Sequence, residues 1–326
     1  MKRVILVYIL IFLLNLSCNF SPVEQVGLRL EIIDSMSIDS VLITKILTGT
    51  QDEKYFINGD KKELIVLNEK YQSFNKIEYS QYLRHILDAV RLNDSLIFIS
   101  GIPDFIVQNL YINKLSTFKK DLDMTSNFLL HKNLLIAAGI NMRTDIPVFS
   151  LNQIKYEQDS LIIENIVDIE MDEYVENYLL TGHLVKVKNN IIFIYDWFGK
   201  YFIIKDSTYN IKAYGELPFS GNVSLFDDYV ENPPFYQAYS ADVFNDSLIF
   251  VLREVDFESV NELNSSEDLI QSTLRKRVHV FTENMELVGS LKLLNKATQI
   301  KVLGDKLLTL HHEDNTVYTY QIIIDN

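Results

Sequence analysis

The six residues Asn-Asp-Ser-Leu-Ile-Phe occur twice in this chain, at Asn93–Phe98 and again at Asn245–Phe250. In each copy a polar pair stands directly before an apolar run. Asn and Asp tolerate the positive φ that the turn of a tight β-hairpin requires, whereas a run such as Leu-Ile-Phe between turn signals favours a strand. Each copy therefore predicts a hairpin turn followed by a strand.

The same order, a polar turn and then an apolar run, recurs in four less regular places. These are QDEKYFING (51–59), HKNLLIAAG (131–139), KNNIIFIYD (188–196) and LGDKLLTLH (303–311). Over all six places, the apolar runs begin at Tyr55, Leu96, Leu134, Ile191, Leu248 and Leu307. Second hairpins follow at 63–79, 147–166, 201–217 and 277–293. Four antiparallel strands repeated every roughly 40–50 residues are typical of propeller blades. The chain is therefore predicted to be all-β, a six-bladed β-propeller of four-stranded antiparallel blades.

The two ends of the chain complete this pattern. The last unit, 297–324, has room for only three strands, and the first strand-like run after the N-terminus is VGLRLEII (26–33). Pairing this run with the last unit supplies the fourth strand of that blade. It also removes an open sheet edge, which would otherwise invite aggregation. We therefore expect the N-terminal strand to join the last blade and close the ring.

The chain begins with a leader-like segment. Lys2 and Arg3 precede eleven apolar residues (4–14), about half of the ~20 that a membrane-spanning helix needs, so an export signal is predicted. Cys18, the only cysteine, follows where a bacterial lipoprotein signal is cut and lipidated; the alternative is a small buried cysteine. The predicted segments are a lipoprotein signal peptide (1–17), the lipidated cysteine with a short tether (18–25) and a single propeller domain (26–326). This organisation predicts lipid anchoring in the bacterial cell envelope, at the outer membrane.

The charge of the chain limits its partners. Without the two basic leader residues, 28 basic residues stand against 44 acidic ones, a net charge of −16. Such a charge repels phosphate backbones and anionic headgroups, so nucleic acid is excluded and membrane attachment is assigned to the N-terminal lipid alone. After Cys18 no cysteine follows, which rules out internal disulfides and thiolate metal sites in that part of the chain. No cofactor is predicted.

A lipoprotein-type leader followed by hairpin-rich repeats, with phrases such as KRVHVFTENMELVGSL (276–291), resembles the TolB-like and NHL-like six-bladed β-propeller lipoproteins of Gram-negative bacteria. Those families more often carry a glycine-rich phrase after the second strand of a blade. In YDWFGKYFII (195–204), only Asp196 and the following strand match that phrase. The resemblance implies the fold and the envelope location, whereas propellers host many unrelated activities.

Three insertions are predicted to lie on one face of the ring, around the channel mouth. They are 168–183, 218–239 and 253–277. Aromatic side chains offer large, rigid contact areas at a low entropic cost, so they suit a binding surface. The predicted ligand-binding residues are Trp197, Phe226, Tyr229, Phe235, Tyr236 and Tyr239. The alternative is that these rings pack over the blades or between them. The primary functional prediction is a non-enzymatic binding or scaffold protein that takes a protein, peptide or glycan ligand at this face.

The alternative functional prediction is that the protein is an enzyme. Arg84, His85 and His183 stand just before first strands, so they are placed to ring the channel entrance. Histidine and arginine there would suit acid–base chemistry in a hydrolase or lyase. The alternative is that each side chain hydrogen-bonds to a neighbouring blade. No metal site is predicted, since neighbouring residues such as His311 and His312 point to opposite faces of a strand.

Overall fold

A computed structural model of the chain describes fourteen segments. They are residues 27–37, 43–50, 53–68, 73–93, 95–119, 122–124, 127–132, 134–141, 148–168, 181–196, 200–217, 240–255, 275–311 and 315–324. These segments contain 25 β-strands. Within them, no helix is long and apolar enough to cross a membrane.

The first three sheets follow one another along the chain, and we number them as blades 1 to 3. Blade 1 contains β2 (Ile43–Thr50), β3 (Glu53–Asn58), β4 (Glu63–Asn68) and β5 (Ser73–Glu78). Blade 2 contains β6 (His85–Arg91), β7 (Leu96–Ile102), β8 (Asp104–Asn109) and β9 (Lys114–Lys119). Blade 3 contains β10 (Leu122–Met124), β11 (Leu129–His131), β12 (Leu134–Asn141), β13 (Val148–Glu157) and β14 (Ser160–Asp168).

Blades 4 to 6 complete the molecule. Blade 4 contains β15 (Gly182–Val187), β16 (Asn190–Tyr195), β17 (Lys200–Lys205) and β18 (Ile211–Glu216). Blade 5 contains β19 (Ser240–Phe244), β20 (Leu248–Val255), β21 (Arg275–Thr282) and β22 (Leu287–Ala297). Blade 6 contains β23 (Gln299–Leu303), β24 (Lys306–His311), β25 (Thr316–Ile324) and the N-terminal strand β1 (Leu28–Ser37). The predicted fold is confirmed: six antiparallel blades form a six-bladed β-propeller.

Blade 3 departs from the four-strand pattern at its inner edge. β10 and β11 both pair with β12, β10 opposite 139–141 and β11 opposite 134–136. The inner strand is thus split into two short pieces. Residues 127 and 128 lie between them, where they contact the neighbouring blades through side-chain and backbone groups.

The ring closes through the N-terminal strand, as predicted. β1 pairs antiparallel with β25, from Leu28 opposite Ile324 to Ser37 opposite Thr316, and the observed strand is longer than the predicted one. Alternate residues of β1, including Leu30, pack against the core between blades 5 and 6. The strand therefore covers the free edge of β25 and seals the core at the same time.

Each predicted apolar run forms the second strand of its blade, and the reason is burial on both faces. Six apolar clusters fill the spaces between successive blades, including the space between blades 6 and 1. In β16, for example, Ile191, Ile192, Phe193 and Ile194 are fully buried. A strand packed between two other sheets has no polar face, so it has a continuous apolar run instead of alternation.

The two copies of the opening hexapeptide form their turns in different ways. In the second copy Asn245 and Asp246 both have φ near 50°, and Ser247 N donates to Phe244 O at 3.1 Å. In the first copy Asn93 Oδ1 accepts hydrogen bonds from Ser95 N, Ser95 Oγ and Leu96 N at 2.9, 2.9 and 3.0 Å. One turn thus uses the backbone conformation of asparagine, and the other uses its side chain.

Candidate functional site

The inner strands of the six blades surround a central channel with two adjoining cavities. The upper cavity, about 360 Å³, lies at the end where β15 and β19 begin. The lower cavity, about 410 Å³, lies toward the turns between first and second strands. Val90, Asn127, Phe128 and Lys301 line both, so the cavities adjoin one another. Each has the size of a small-molecule site, for which roughly 300–1,000 Å³ is usual.

Polar side chains on the inner strands link one blade to the next. The amide of Gln299 in blade 6 binds both backbone groups of Ile46 in blade 1, accepting from N at 2.7 Å and donating to O at 2.9 Å. The amide of Asn127 binds Leu184 of blade 4 in the same way, at 2.7 and 3.1 Å. These bonds satisfy inner-strand groups that face the channel and have no strand beside them.

Two further contacts between blades are made, one by a serine hydroxyl group and the other by a hairpin turn. The hydroxyl of Ser240 in blade 5 donates to Ile300 O at 3.1 Å and accepts from Ile300 N at 3.2 Å. Between blades 4 and 5 the link lies at the lower rim, where Asp246 Oδ1 accepts from Lys188 N at 2.8 Å. Asp246 belongs to the second copy of the repeated hexapeptide, so that copy also joins its blade to the preceding one.

Asp88 joins three blades around the upper cavity. Its Oδ1 accepts from Ala89 N at 2.8 Å and lies 3.2 Å from Lys45 Nζ of blade 1. Its Oδ2 accepts from Phe128 N of blade 3 at 3.0 Å. Lys45 Nζ also donates to Leu87 O at 3.2 Å. Both carboxylate oxygens thus have donors within the protein.

Asp242 plays the same role between blades 5 and 6. Its Oδ1 accepts from Val243 N at 3.0 Å, and its Oδ2 accepts from Val302 N at 2.7 Å. Lys301 Nζ lies 3.1 Å from Oδ2. As for Asp88, neither oxygen is left without a donor. Asp88 and Asp242, which line the described channel, therefore have a structural role.

More cationic than anionic side chains line the two cavities. Their cationic side chains are Lys45, Arg91, Lys186 and Lys301, and their carboxylates are Asp88 and Asp242. This balance is opposite to that of the chain, whose net charge is −14. An ammonium group has three N–H donors, and Lys301 needs only one for its aspartate.

A second charged group lies at the lower rim, around Asp206. Its Oδ2 is 3.4 Å from Lys186 Nζ, 3.3 Å from His131 Nε2 and 3.8 Å from Lys132 Nζ. Burial, aided by Lys132 and Lys186, holds the pKa of His131 below its ordinary value, and Asp206 opposes this only in part. The group around Asp206 thus contains one carboxylate, two lysines and a histidine that is neutral at neutral pH.

The structure separates the three predicted acid–base residues. His183 lines the upper cavity, and its Nε2 lies 3.0 Å from Asp196 Oδ1, without the alignment of a hydrogen bond. Arg84 and His85 are exposed where β6 begins, and neither lines the cavities described above. The channel therefore brings His183 together with Asp196, and not with the other two.

The channel lysines and aspartates were missed from the sequence, although a signal for them was present. Each lies as a single charged residue inside an apolar first strand. The five stretches are ITKIL (43–47), ILDAV (86–90), LVKV (184–187), ADVF (241–244) and QIKVL (299–303). A charged side chain in a buried strand needs a hydrogen-bonding or oppositely charged partner, so its position predicts a polar contact between blades.

Several predicted residues lie outside the part of the chain that the structure describes. These are Cys18, Trp197, Phe226, Tyr229, Phe235, Tyr236 and Tyr239. Their assigned roles in lipidation and ligand binding stay predictions. Within the described segments, no group of three or more His, Cys, Asp or Glu residues is placed to hold a metal ion.

Comparison with known proteins identifies the architecture. No protein-family model matches the chain, and no curated protein matches its sequence. Solved structures do match. They include regucalcin, a calcium-binding protein from Agrobacterium tumefaciens, with 7% identity over 88% of this chain and 92% of that one, TM-score 0.55. The chain is a six-bladed β-propeller.

Two further matches cover nearly all of their own chains. The β-propeller domain of Cps50 (Swd1) from Myceliophteria thermophila is 10% identical over 90% of this chain and 100% of that one, with a TM-score of 0.52. BamB from Moraxella catarrhalis is 9% identical over 90% and 99%, with a TM-score of 0.50. At such low identity the likeness concerns the fold alone.

Proposed function

We propose that this propeller is a lipid-anchored envelope protein that binds a protein, peptide or glycan ligand at its upper end. The proposal joins the N-terminal leader and Cys18 to the architecture of the ring. In this proposal the propeller is a rigid support, and the insertions carried by its upper end provide recognition.

The observation that carries the proposal is where the long insertions begin and end. Segments 169–180 and 218–239 lead into β15 and β19, whose first residues, Gly182 and Ser240, line the upper cavity. Segment 256–274 connects β20 with β21 just beyond Val255 and Arg275, which are paired at the same end of blade 5. All three insertions therefore start from one end of the ring.

The lipid anchor has a direct test. Cells that express the full chain are labelled with radioactive palmitate, and the wild type is compared with Cys18→Ala. Label in the wild type and none in the variant is expected, together with a shift of the variant from the membrane to the soluble fraction. Equal labelling of the two proteins would disprove lipidation at Cys18.

The recognition surface is tested by crosslinking and pull-down from membranes with the full chain. A variant that carries Tyr229→Ala, Phe235→Ala and Tyr236→Ala is expected to lose the captured ligand. The matched control is Tyr214→Ala, which removes a 60% exposed tyrosine from the outer strand β18. Capture that is unchanged in the triple variant, or lost equally in the control, would contradict recognition by the aromatic segment.

A second candidate function is supported by His183. A histidine in the cavity wall with a carboxylate 3.0 Å away has the residue types of a general base and its acidic partner. If the protein is a hydrolase or lyase, activity toward glycoside, ester or uronate substrates is expected in the wild type and absent in His183→Asn. Turnover that persists in this variant would exclude His183 as the base.

A further inference from the structure

The N-terminal strand β1 begins at the lower end of the ring, where the turns between first and second strands lie. Its first residue, Leu28, pairs with Ile324 of β25. Two positions before Ile324, Ile322 N donates to Asp305 O at 2.8 Å, and Asp305 belongs to the turn between the first and second strands of blade 6. The chain therefore enters the propeller from its lower end.

The proposed lipid lies close to this point of entry. Cys18 precedes Leu28 by ten residues. A fully extended chain rises at most about 3.3–3.6 Å per residue, so the lipid lies within about 35 Å of Leu28. The lower end is therefore the end of the ring nearer to a bilayer that holds this lipid. The insertions leave from the opposite end.

The hairpin between β8 and β9 exposes two adjacent large apolar side chains at the same lower end. Tyr111 is 76% exposed and Ile112 is 67% exposed. Leu110, in the same turn, donates its N–H to Ser95 O at 2.7 Å, and Ser95 lies in the turn between the first and second strands of blade 2. The tip of this hairpin, residues 110–113, therefore lies on the side of the ring where the chain enters.

The hairpin tip is fixed by contacts of its own. Asn109 Oδ1 accepts hydrogen bonds from Tyr111 N at 3.0 Å and from Ile112 N at 3.2 Å. Leu110 and Leu115, on either side, pack against the core between blades 1 and 2. The turn is thus ordered while its two outermost apolar side chains remain exposed. Such preorganisation lowers the entropic cost of inserting them into a partner.

The exposed pair is not a general feature of the repeat. The corresponding turns that the structure describes in blades 3, 4 and 5 are 158–159, 206–210 and 283–286. The first of these consists of Gln and Asp. In the other two, the large apolar side chains, Tyr209 and Met285, pack against the core. Folding of a blade therefore does not require apolar side chains exposed at this turn.

The charged groups at this end suit an uncharged or zwitterionic surface. Lys114, two residues beyond Ile112, is ion-paired with Asp159 at 2.6 Å. At the same end, Lys188 is ion-paired with Glu283 at 2.7 Å. Neither pair adds net charge, so contact with a membrane here depends on the apolar tip. Tyrosine is enriched at membrane interfaces, and membrane binding increases with the apolar area that is buried.

We propose that Tyr111 and Ile112 are a second membrane contact, inserted among the headgroups of the bilayer that holds the lipid on Cys18. The propeller then stands with its lower end on the membrane, and the insertions project away from it toward their ligand. Two points of attachment fix the orientation of the ring, which a single one cannot do. This inference deepens the proposed function and rests on its lipid anchor.

The experiment measures how close position 111 lies to lipid. Tyr111→Trp is introduced into a Trp197→Phe chain, whose native tryptophan is thereby removed. The full chain is reconstituted into phosphatidylcholine vesicles that contain nitroxide-labelled lipids and is isolated by flotation. Because the tip lies among the headgroups, the nitroxides are expected to lower its tryptophan fluorescence about twofold or more.

The matched control for the probe is Tyr82→Trp in the same Trp197→Phe chain. Tyr82 is also an exposed tyrosine, but it lies between β5 and β6 at the upper end of blade 2. Little or no quenching is expected there. Circular dichroism and thermal melting establish that each variant is folded. If Trp197→Phe does not fold, both probes are placed in the wild-type chain and the quenching of the wild type is subtracted.

The need for an apolar tip is tested by adding Ile112→Asp to the Tyr111→Trp chain. A carboxylate is costly to remove from water, so the quenching is expected to be lost. The matched control is Leu294→Asp, since Leu294 is 73% exposed but lies on the outer strand β22, toward the end away from its turn at 283–286. This second variant is expected to be quenched like the parent chain.

Three results would overturn the membrane contact. They are the absence of quenching at position 111, equal quenching at position 82, and quenching that persists with Ile112→Asp. Palmitate labelling of the same protein separates this outcome from the fate of the anchor. Label without quenching at position 111 contradicts the contact and leaves the lipid in place, whereas quenching without label supports the contact and contradicts lipidation at Cys18. Protein that neither carries label nor floats with the vesicles would contradict both.

Discussion

The side-chain amide of Gln299 in blade 6 holds both the N–H and the C=O of Ile46 in blade 1, a residue 253 positions earlier in the chain. This contact closes the ring at the channel, and the pairing of β1 with β25 closes it at the outer edge. The last blade is thus bonded to the first by a side chain inside, and it takes up the N-terminal strand outside.

Replacing Gln299 by Ala is therefore expected to destabilise the protein. Both backbone groups of Ile46 lose a partner in a partly buried position, and a typical intramolecular hydrogen bond contributes roughly 0.5–1.5 kcal/mol. The measurement is urea unfolding followed by circular dichroism. The control is Gln153→Ala, because Gln153 bonds to Glu164 on an exposed part of blade 3. Equal unfolding midpoints for the two variants would contradict the role given to Gln299.

The two copies of the repeated hexapeptide should respond differently when their asparagine is replaced by glycine. Asn93→Gly removes the oxygen that accepts three hydrogen bonds, and a loss of about 1 kcal/mol is expected. Asn245→Gly places glycine at a φ of 50°, which glycine adopts without strain, so stability is expected to stay unchanged or to rise. Thermal melting of both variants checks this difference. A larger loss for Asn245→Gly would show that the turns have been interpreted the wrong way round.

The ion pair between Lys45 and Asp88 is expected to couple two blades. The Asp88 side chain is 10% exposed and also accepts hydrogen bonds from backbone groups, so a double-mutant cycle with Lys45→Met and Asp88→Asn should give a coupling energy of about 1.5–3 kcal/mol. The parallel cycle on Lys114 and Asp159 concerns a pair whose side chains are 50% and 61% exposed, and no measurable coupling is expected. Similar values in the two cycles would contradict a special role for the channel pair.

The pKa of His131 predicts how the folding stability of the protein changes in mild acid. Its pKa in the folded protein lies below the ordinary value of 6.5, chiefly through burial. Between these two values the unfolded chain binds more protons than the folded one, so stability increases with pH there and is lost as the pH falls below 6.5. His131→Asn is expected to flatten this dependence, and the exposed His85→Asn is the control. The measurement is the unfolding midpoint from pH 5 to pH 7. If its slope against pH is the same in His131→Asn as in the wild type, the prediction is refuted.

Much of the ring was predictable because its signals are local. A hairpin turn and the strand after it lie within about ten residues, so Leu248 and the Asn-Asp pair before it predict one element. The same holds for the strand around Leu30, whose apolar alternation is visible in the sequence. Counting these local units predicted six blades and the closure by β1, and both are confirmed.

The site could not be predicted in the same way. Asp88 was within reach of sequence reasoning as a charge in an apolar strand, but its partners Lys45 and Phe128 lie about forty residues away on either side. The cationic side chains of the lower cavity are a still more distant relationship, since Arg91 and Lys301 stand 210 positions apart in the chain. The regular spacing of the apolar runs along the sequence does not indicate which side chains meet across the channel.

The sequence by itself thus determined the number of blades, the place of each turn and the strand that closes the ring. These depend on the backbone preferences and apolar runs of neighbouring residues. Only the tertiary structure decided which charges line the channel, that Asp88 and Asp242 each accept hydrogen bonds from two backbone N–H groups, and that His183 faces Asp196 instead of His85. Those contacts form only when the six blades are arranged around one axis, because the residues involved are far apart in the sequence and come close together only in the folded protein.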